Sequence, residues 1–213
     1  MTLRAIIPVN RLDRAKGRLA GVLTPDERRT LSLLTLDAVV EAAIGAGLEV
    51  VVVTPDAGVR DHLAGRAAAV MDEDPALRGL NAQLARALQG LDDAVILHAD
   101  LPLAAAEALE AFLAGSLPAP SITVAPSGDG GTNVMRLRPP GLFELAYGIG
   151  SCALHVAAAK AGGMGVAIVE TAGLAMDLDQ PGDLVALLGS AEGRECPAGR
   201  YLRAIGLLER LEP

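Results

Sequence analysis

Six short apolar runs separated by stretches of helical period constrain this chain more than any other feature. The runs are Arg4–Val9, Glu49–Thr54, Ala94–His98, Ile122–Ala125, Asn133–Leu137 and Val166–Glu170. They are nearly continuous in aliphatic residues, which predicts strands covered on both faces rather than strands with one wet face. Helices are expected at Gly79–Gln89, Ala104–Leu113, Ser151–Ala161, Pro181–Leu188 and Ala198–Glu212. A further, longer helix is announced by Thr24-Pro25-Asp26-Glu27, a capping box with proline in the first turn. Its apolar stripe is Leu31, Leu34, Ala38 and Val39, and Gly45 and Gly47 end it. Strands alternating with helices place the chain in the α/β class.

A length of 213 residues, 51% of them hydrophobic, suits one core. The loops Ser116–Ser121 and Ser127–Thr132 are too short to link domains, so residues 1–213 read as a single domain. The chain has no Trp, two Tyr, two Phe and a net charge of −8. That balance argues against nucleic acid, which asks for stacking platforms and a basic surface. A small anion remains admissible, because a few cations in one cleft outweigh the net charge locally. Cys152 and Cys196 have no metal-ligand spacing and read as free thiols of a reducing compartment. Neither a secretory signal nor a membrane span is evident, so a cytoplasmic location is expected, with no membrane partner.

Several segments carry chemistry. After the first strand come Arg11, Arg14, Lys16 and Arg18, four cations within eight residues. At the carboxyl end of a strand such groups suit a triphosphate and the charge of leaving pyrophosphate; the competing reading is a solvated basic turn. The segment Leu97-His98-Ala99-Asp100-Leu101-Pro102 runs from a buried strand into a carboxylate that suits Mg, or else caps the next helix. Asp177 and Asp179, at i and i+2 in an extended segment, share a face and repel unless a cation lies between them. Asp179 could alternatively cap the helix at Pro181.

The loop Ser127-Gly128-Asp129-Gly130-Gly131-Thr132-Asn133 combines approachable backbone N–H groups with the Thr132 hydroxyl, although many such loops are plain turns. Gly148, Gly150 and Ser151 open a helix whose N-terminus favours anions. His155, one turn on, either reaches the same anion or is a packing residue. Asn81, at the start of another helix, could read a purine edge or a ribose.

In this order, Pro8-Val9, Ala15-Lys16-x-Arg18-Leu19, Gly79-Leu80-Asn81, Ala99-Asp100-Leu101-Pro102, Gly130-Gly131-Thr132-Asn133, Gly148-x-Gly150-Ser151-x-x-x-His155 and Asp177-x-Asp179-x-Pro181-x-Asp183-Leu184 resemble the CofC family, also called FbiD. The resemblance spans nearly the whole chain. It implies a three-layer α/β/α sandwich with a mixed, mostly parallel sheet of the nucleotide-diphospho-sugar transferase type. It implies guanylyl transfer from GTP to 2-phospholactate, phosphoenolpyruvate or 3-phosphoglycerate in making coenzyme F-420. Asp100, Asp177 and Asp179 would be the metal-binding carboxylates, with Mg as cofactor. Thr132, Gly148 and Ser151 would hold the phosphorylated acid, while Lys16, Arg18 and Asn81 would face GTP. Lys16, Arg18 and Asp100 would be the catalytic groups. The family often has lysine where this chain has Asn10. Molybdopterin or sugar-phosphate nucleotidyltransferases usually open with a Leu-Ala-Gly-Gly-type loop, which is missing here, and a non-catalytic nucleotide-binding module would leave the three aspartates without purpose. The C-terminal residues Leu202, Ile205, Leu208 and Leu211 offer an apolar face to a partner subunit, as in a homodimer.

Overall fold

The computed structural model describes residues 2–211. Seven strands form one sheet: β1 (Arg4–Pro8), β2 (Glu49–Thr54), β3 (Ala68–Asp72), β4 (Ala94–Leu97), β5 (Ser121–Pro126), β6 (Thr132–Arg138) and β7 (Gly165–Ile168), in the order β3-β2-β1-β4-β6-β5-β7. All neighbours are parallel except β6, which runs antiparallel to both β4 and β5. The expected mixed, mostly parallel sheet is what the chain forms.

Side-chain alternation along the strands builds two cores, one on each face. Ala5, Ile7, Val50, Val52, Val95 and Leu97 pack under α1 (Pro25–Gly45), α2 (Ala57–Leu63) and α4 (Ala106–Ala114). Ile6, Val51, Val53, Ile96, Ile122 and Val124 face the other way, onto α3 (Leu80–Ala87) and α5 (Ser151–Ala161). The result is the expected three-layer sandwich. The start of α1 is the expected capping box, with Glu27 N–H on Thr24 Oγ1 at 3.3 Å and Thr24 N–H on the Glu27 carboxylate at 2.8 Å.

Several elements depart from the expectations, the short helices α6 (Ala172–Ala175) and α8 (Ala191–Glu195) among them. β3 was not anticipated: it is a half-exposed edge strand whose apolar run, Ala67–Met71, is mostly alanine, a residue depleted in strands. α2 lacks a long periodic pattern. The C-terminal stretch expected to be one helix is α9 (Pro197–Ala204) and α10 (Leu207–Leu211), broken at Gly206 with φ +66°, and preceded by α6 (Ala172–Ala175), α7 (Pro181–Gly189) and α8 (Ala191–Glu195). Glu212, the expected last residue of that helix, lies outside the described residues.

A third apolar cluster joins Leu19, Leu23 and Leu31 to Leu178, Leu184, Leu187, Leu202 and Leu207, with Ile205 packed against it. Of the face expected to meet a partner subunit, Leu202 and Ile205 are thus taken up by the chain's own helices and Leu208 is exposed, while the Leu211 side chain lies outside the described residues. Among the described residues no helix is long and apolar enough to cross a membrane.

Candidate active site

The strand order reverses direction between β1 and β4, which pair in parallel from Arg4 opposite Ala94 to Ile6 opposite Ile96. Crevices beyond the carboxyl ends of such strands are where open α/β sheets bind ligands. A cleft of about 780 Å³ opens there. Its walls include Asn10, Arg14 and Lys16 from the basic loop, Asp74, Arg78 and Gly79 beyond β3, and His98 and Asp100 beyond β4. That volume lies in the range of small-molecule sites.

Asp100, Asp177 and Asp179 converge beside this cleft, each offering a carboxylate oxygen within 4.8 Å of the others. Backbone bonds bring the segments together: Leu178 N–H donates to the Asp100 carbonyl at 3.2 Å. Lys16 Nζ donates to the Leu178 carbonyl at 2.8 Å. With the Leu178 side chain wholly buried, the extended segment turns Asp177 and Asp179 together.

Neither aspartate alternative as a helix cap holds. The residue before α4 is Ala105, with no side-chain cap, and the start of α7 is held by Asp183, whose carboxylate accepts from Asp179 N–H at 2.8 Å and Gln180 N–H at 2.6 Å. Asp100 and Asp179 are thereby left to the cleft.

The trio is electrostatically unsatisfied. Burial, then the charges of Asp100, Asp179 and Asp129, push the Asp177 carboxyl up to about 6. Burial and Asp100 raise Asp179 too, opposed by Lys16 and Arg18. Asp100 Oδ1 is buried without a hydrogen-bond partner. Three hard oxygen donors with this deficit of positive charge fit a divalent cation such as Mg.

The second polar cluster lies across β6. Ser151 Oγ and Thr132 Oγ1 are 3.1 Å apart, and Thr132 Oγ1 is 3.0 Å from His155 Nδ1. Gly148 sits in the loop just before α5. Two N–H groups at the opening of α5 are already engaged, Ser151 with the Gly148 carbonyl and Cys152 with the Gly130 carbonyl. Rings connect this cluster to the cleft: His155 lies 4.8 Å from Tyr147, and Tyr147 lies 5.1 Å from His98, a residue of the cleft wall.

The family model for CofC-like guanylyl transferases matches residues 3–212. The chain belongs to this family. It is 43% identical over 197 residues to a phosphoenolpyruvate guanylyltransferase of Sphaerobacter thermophilus, covering 90% of this chain and 95% of that one. It is 37% identical to a 3-phospho-D-glycerate guanylyltransferase of Phenylobacterium zucineum, covering 84% and 87%. A 2-phospho-L-lactate guanylyltransferase of Methanocella arvoryzae is 31% identical, with 97% and 88% covered. A crystal structure from Desulfovibrio desulfuricans G20, described as a nucleotide-diphospho-sugar transferase, superposes with a TM-score of 0.81 at 17% identity over 99% of this chain and 98% of that one, which establishes the fold.

In this CofC-family guanylyltransferase the expected site residues fall into distinct settings. Lys16 stands in the cleft wall in left-handed conformation (φ 51°), uncommon for a side chain other than glycine. Arg18 is exposed and lies 3.7 Å from Asp179. Of the other two cations in the loop, Arg14 lines the cleft, while Arg11 is bound to Asp13 on the open surface. Asn81 directs its amide to the Tyr147 backbone, accepting from its N–H at 2.9 Å and donating to its carbonyl at 3.2 Å. One N–H and one lone pair of Asn81 remain.

Two further residues shape the site. Asp56 caps α2 through Gly58 N–H and accepts from Leu12 N–H at 2.8 Å, fixing the basic loop. Its strand–Pro–Asp setting is an N-cap signal that was legible in retrospect. Buried Gln83 grips Asp74 through both its N–H and its carbonyl and so shapes the cleft wall beyond β3. Nothing in the sequence signals that role.

Proposed function

We propose that this guanylyltransferase joins the GMP moiety of GTP to the phosphate of a three-carbon acid, releasing pyrophosphate, as a cytoplasmic step in making coenzyme F-420. The observation that carries the reading is the convergence of Asp100, Asp177 and Asp179 beside a cleft whose walls also bear Arg14 and Lys16. Its support from relatives is that they are named for phosphoenolpyruvate, 3-phospho-D-glycerate and 2-phospho-L-lactate.

A phosphate oxygen of the acid forms a bond to the α-phosphorus of GTP as the bond from that phosphorus to the leaving oxygen breaks, and that electron pair departs with pyrophosphate. No protein nucleophile is needed, so the residues act by positioning and by electrostatics. Lys16 keeps two ammonium hydrogens beyond its bond to Leu178, and with Arg14 and Arg18 it would balance charge on the triphosphate and on the departing pyrophosphate. Thr132, Ser151 and the Gly148 backbone would hold the acid on the opposite side of the reacting phosphorus. Asp100, Asp177 and Asp179 would hold Mg. When bound, that ion offsets the carboxylate repulsion and draws charge from the phosphate oxygens. Asn81, fastened to the Tyr147 backbone, would keep the nucleotide wall and the acid-binding loop in register while offering its remaining groups to GTP.

Pyrophosphate release by the purified protein with Mg tests the reading, crossing GTP, ATP and CTP with phosphoenolpyruvate, 2-phospholactate and 3-phosphoglycerate. Release with GTP and one acid is expected. Folded protein that releases none with any pair would point instead to a different acceptor, such as molybdopterin or a sugar phosphate.

A further inference from the structure

His155 is wholly buried, and each of its ring nitrogens has one partner. Nε2 lies 3.0 Å from the backbone N–H of Ala146, a group that can only donate. Nε2 must therefore be unprotonated, and in a neutral ring the proton is on Nδ1. Burial and nearby His98 hold the pKa down to about 4, so the ring is neutral near neutral pH. Nδ1–H then donates to Thr132 Oγ1 at 3.0 Å.

The consequence is a count of protons. Thr132 and Ser151 carry two hydroxyl protons, and one of them makes the 3.1 Å bond between the two oxygens. The other cannot go to His155, which is itself the donor there. Among the described residues neither hydroxyl has any further partner, so one proton is left over whichever way the mutual bond runs. The opposite tautomer would erase this surplus: Ser151 would donate to Thr132, Thr132 to Nδ1, and Ala146 N–H would face another N–H. A buried hydroxyl proton without a partner is destabilising, and an anionic oxygen would satisfy it.

We propose that His155 is a positioning residue, whose tautomer, locked by Ala146, keeps one Thr132–Ser151 proton free to donate to the anionic acid substrate. This rests on the acid-binding role given to Thr132 and Ser151 above.

His155→Leu keeps the spare hydroxyl proton, because leucine accepts no hydrogen bond either, but it removes the N–H that holds Thr132 Oγ1 in place. KM for the acid should rise about threefold to tenfold in H155L, the range expected for one lost hydrogen bond between neutral groups, while KM for GTP stays within about threefold. An unchanged acid KM in folded H155L would overturn the positioning role. The wild-type protein supplies a second reading, whether or not H155L folds. Nitrogen NMR of 15N-histidine-labelled protein should show His155 protonated at Nδ1 and bare at Nε2 near neutral pH, and the reverse tautomer or an imidazolium would overturn it. A wild-type enzyme that turns over no acid would instead remove the acid-binding role, with the tautomer still read directly by NMR.

Discussion

The two polar clusters of this enzyme are built on opposite principles. Asp100, Asp177 and Asp179 repel one another, leave an oxygen buried without a partner, and raise the Asp177 pKa to about 6. Thr132, Ser151 and His155 are instead joined by hydrogen bonds, with Ala146 N–H fixing the far side of the ring, and lack only an acceptor for one hydroxyl proton. One cluster is short of positive charge throughout, and the other is held in place with a single donor to spare.

The sharpest way to break this contrast is Asp100→Ala. Turnover should fall by about a thousandfold or more, as for loss of a group that stabilises transition-state charge, without a lower melting temperature in metal-free buffer. A loss of only a few-fold in pyrophosphate release from folded protein would remove Asp100 from the metal set. Next comes Thr132→Val, which should raise the KM for the acid about 10- to 100-fold and destabilise the metal-free protein by about 1 kcal/mol, because it breaks the hydrogen bonds to His155 and Ser151. Asp177→Asn should do the reverse to stability, adding about 1 kcal/mol in metal-free urea unfolding, because it removes a repulsion.

The two clusters should also titrate in opposite senses. Asp177 moves from 3.8 to about 6 on folding, so across that window the folded state holds more protons and metal-free stability falls as pH rises. His155 moves from 6.5 to about 4, so across its window the unfolded state holds more protons and stability rises with pH. Urea unfolding should therefore show Asp177→Asn gaining more over wild type at about pH 7 than at about pH 4.5, and His155→Asn losing more at the higher pH. Mg should raise the melting temperature more at about pH 7.5 than at about pH 5, where Asp177 is protonated. The smallest effect belongs to Asn81→Ala, which links the clusters: KM for the acid should rise about threefold to tenfold, and more than KM for GTP. The opposite ranking would make nucleotide contact, rather than the grip on Tyr147, its main role.

Much of this was legible from residue order. Continuous runs such as Val50–Val53 announce buried central strands because two covered faces demand them, and Thr24 and Glu27 announce α1 because the cap is local. β3 was not legible, because an edge strand needs little apolar surface and Ala68-Ala69 supplies little. The pairing of Asp177 with Asp179 could be read from period two alone. Their meeting with Asp100 rests on the Leu178–Asp100 backbone bond, which no local pattern records. His155 looked like either a ligand or a packing residue, and it is packed. Its hydrogen bond to Thr132 bridges 23 positions, so only the fold could reveal which neighbour it serves.

The route of Lys16 to a carbonyl 162 residues further along the chain has a consequence for synthesis. Chains emerge from the ribosome N-terminus first and begin to fold as they appear. A nascent chain exposed as far as Glu170 already contains every strand of the sheet, yet it lacks Asp177, Asp179 and the carbonyl that Lys16 grips. Products of early termination would therefore carry the whole sheet with a single carboxylate of the trio, and only a nearly finished molecule acquires all three.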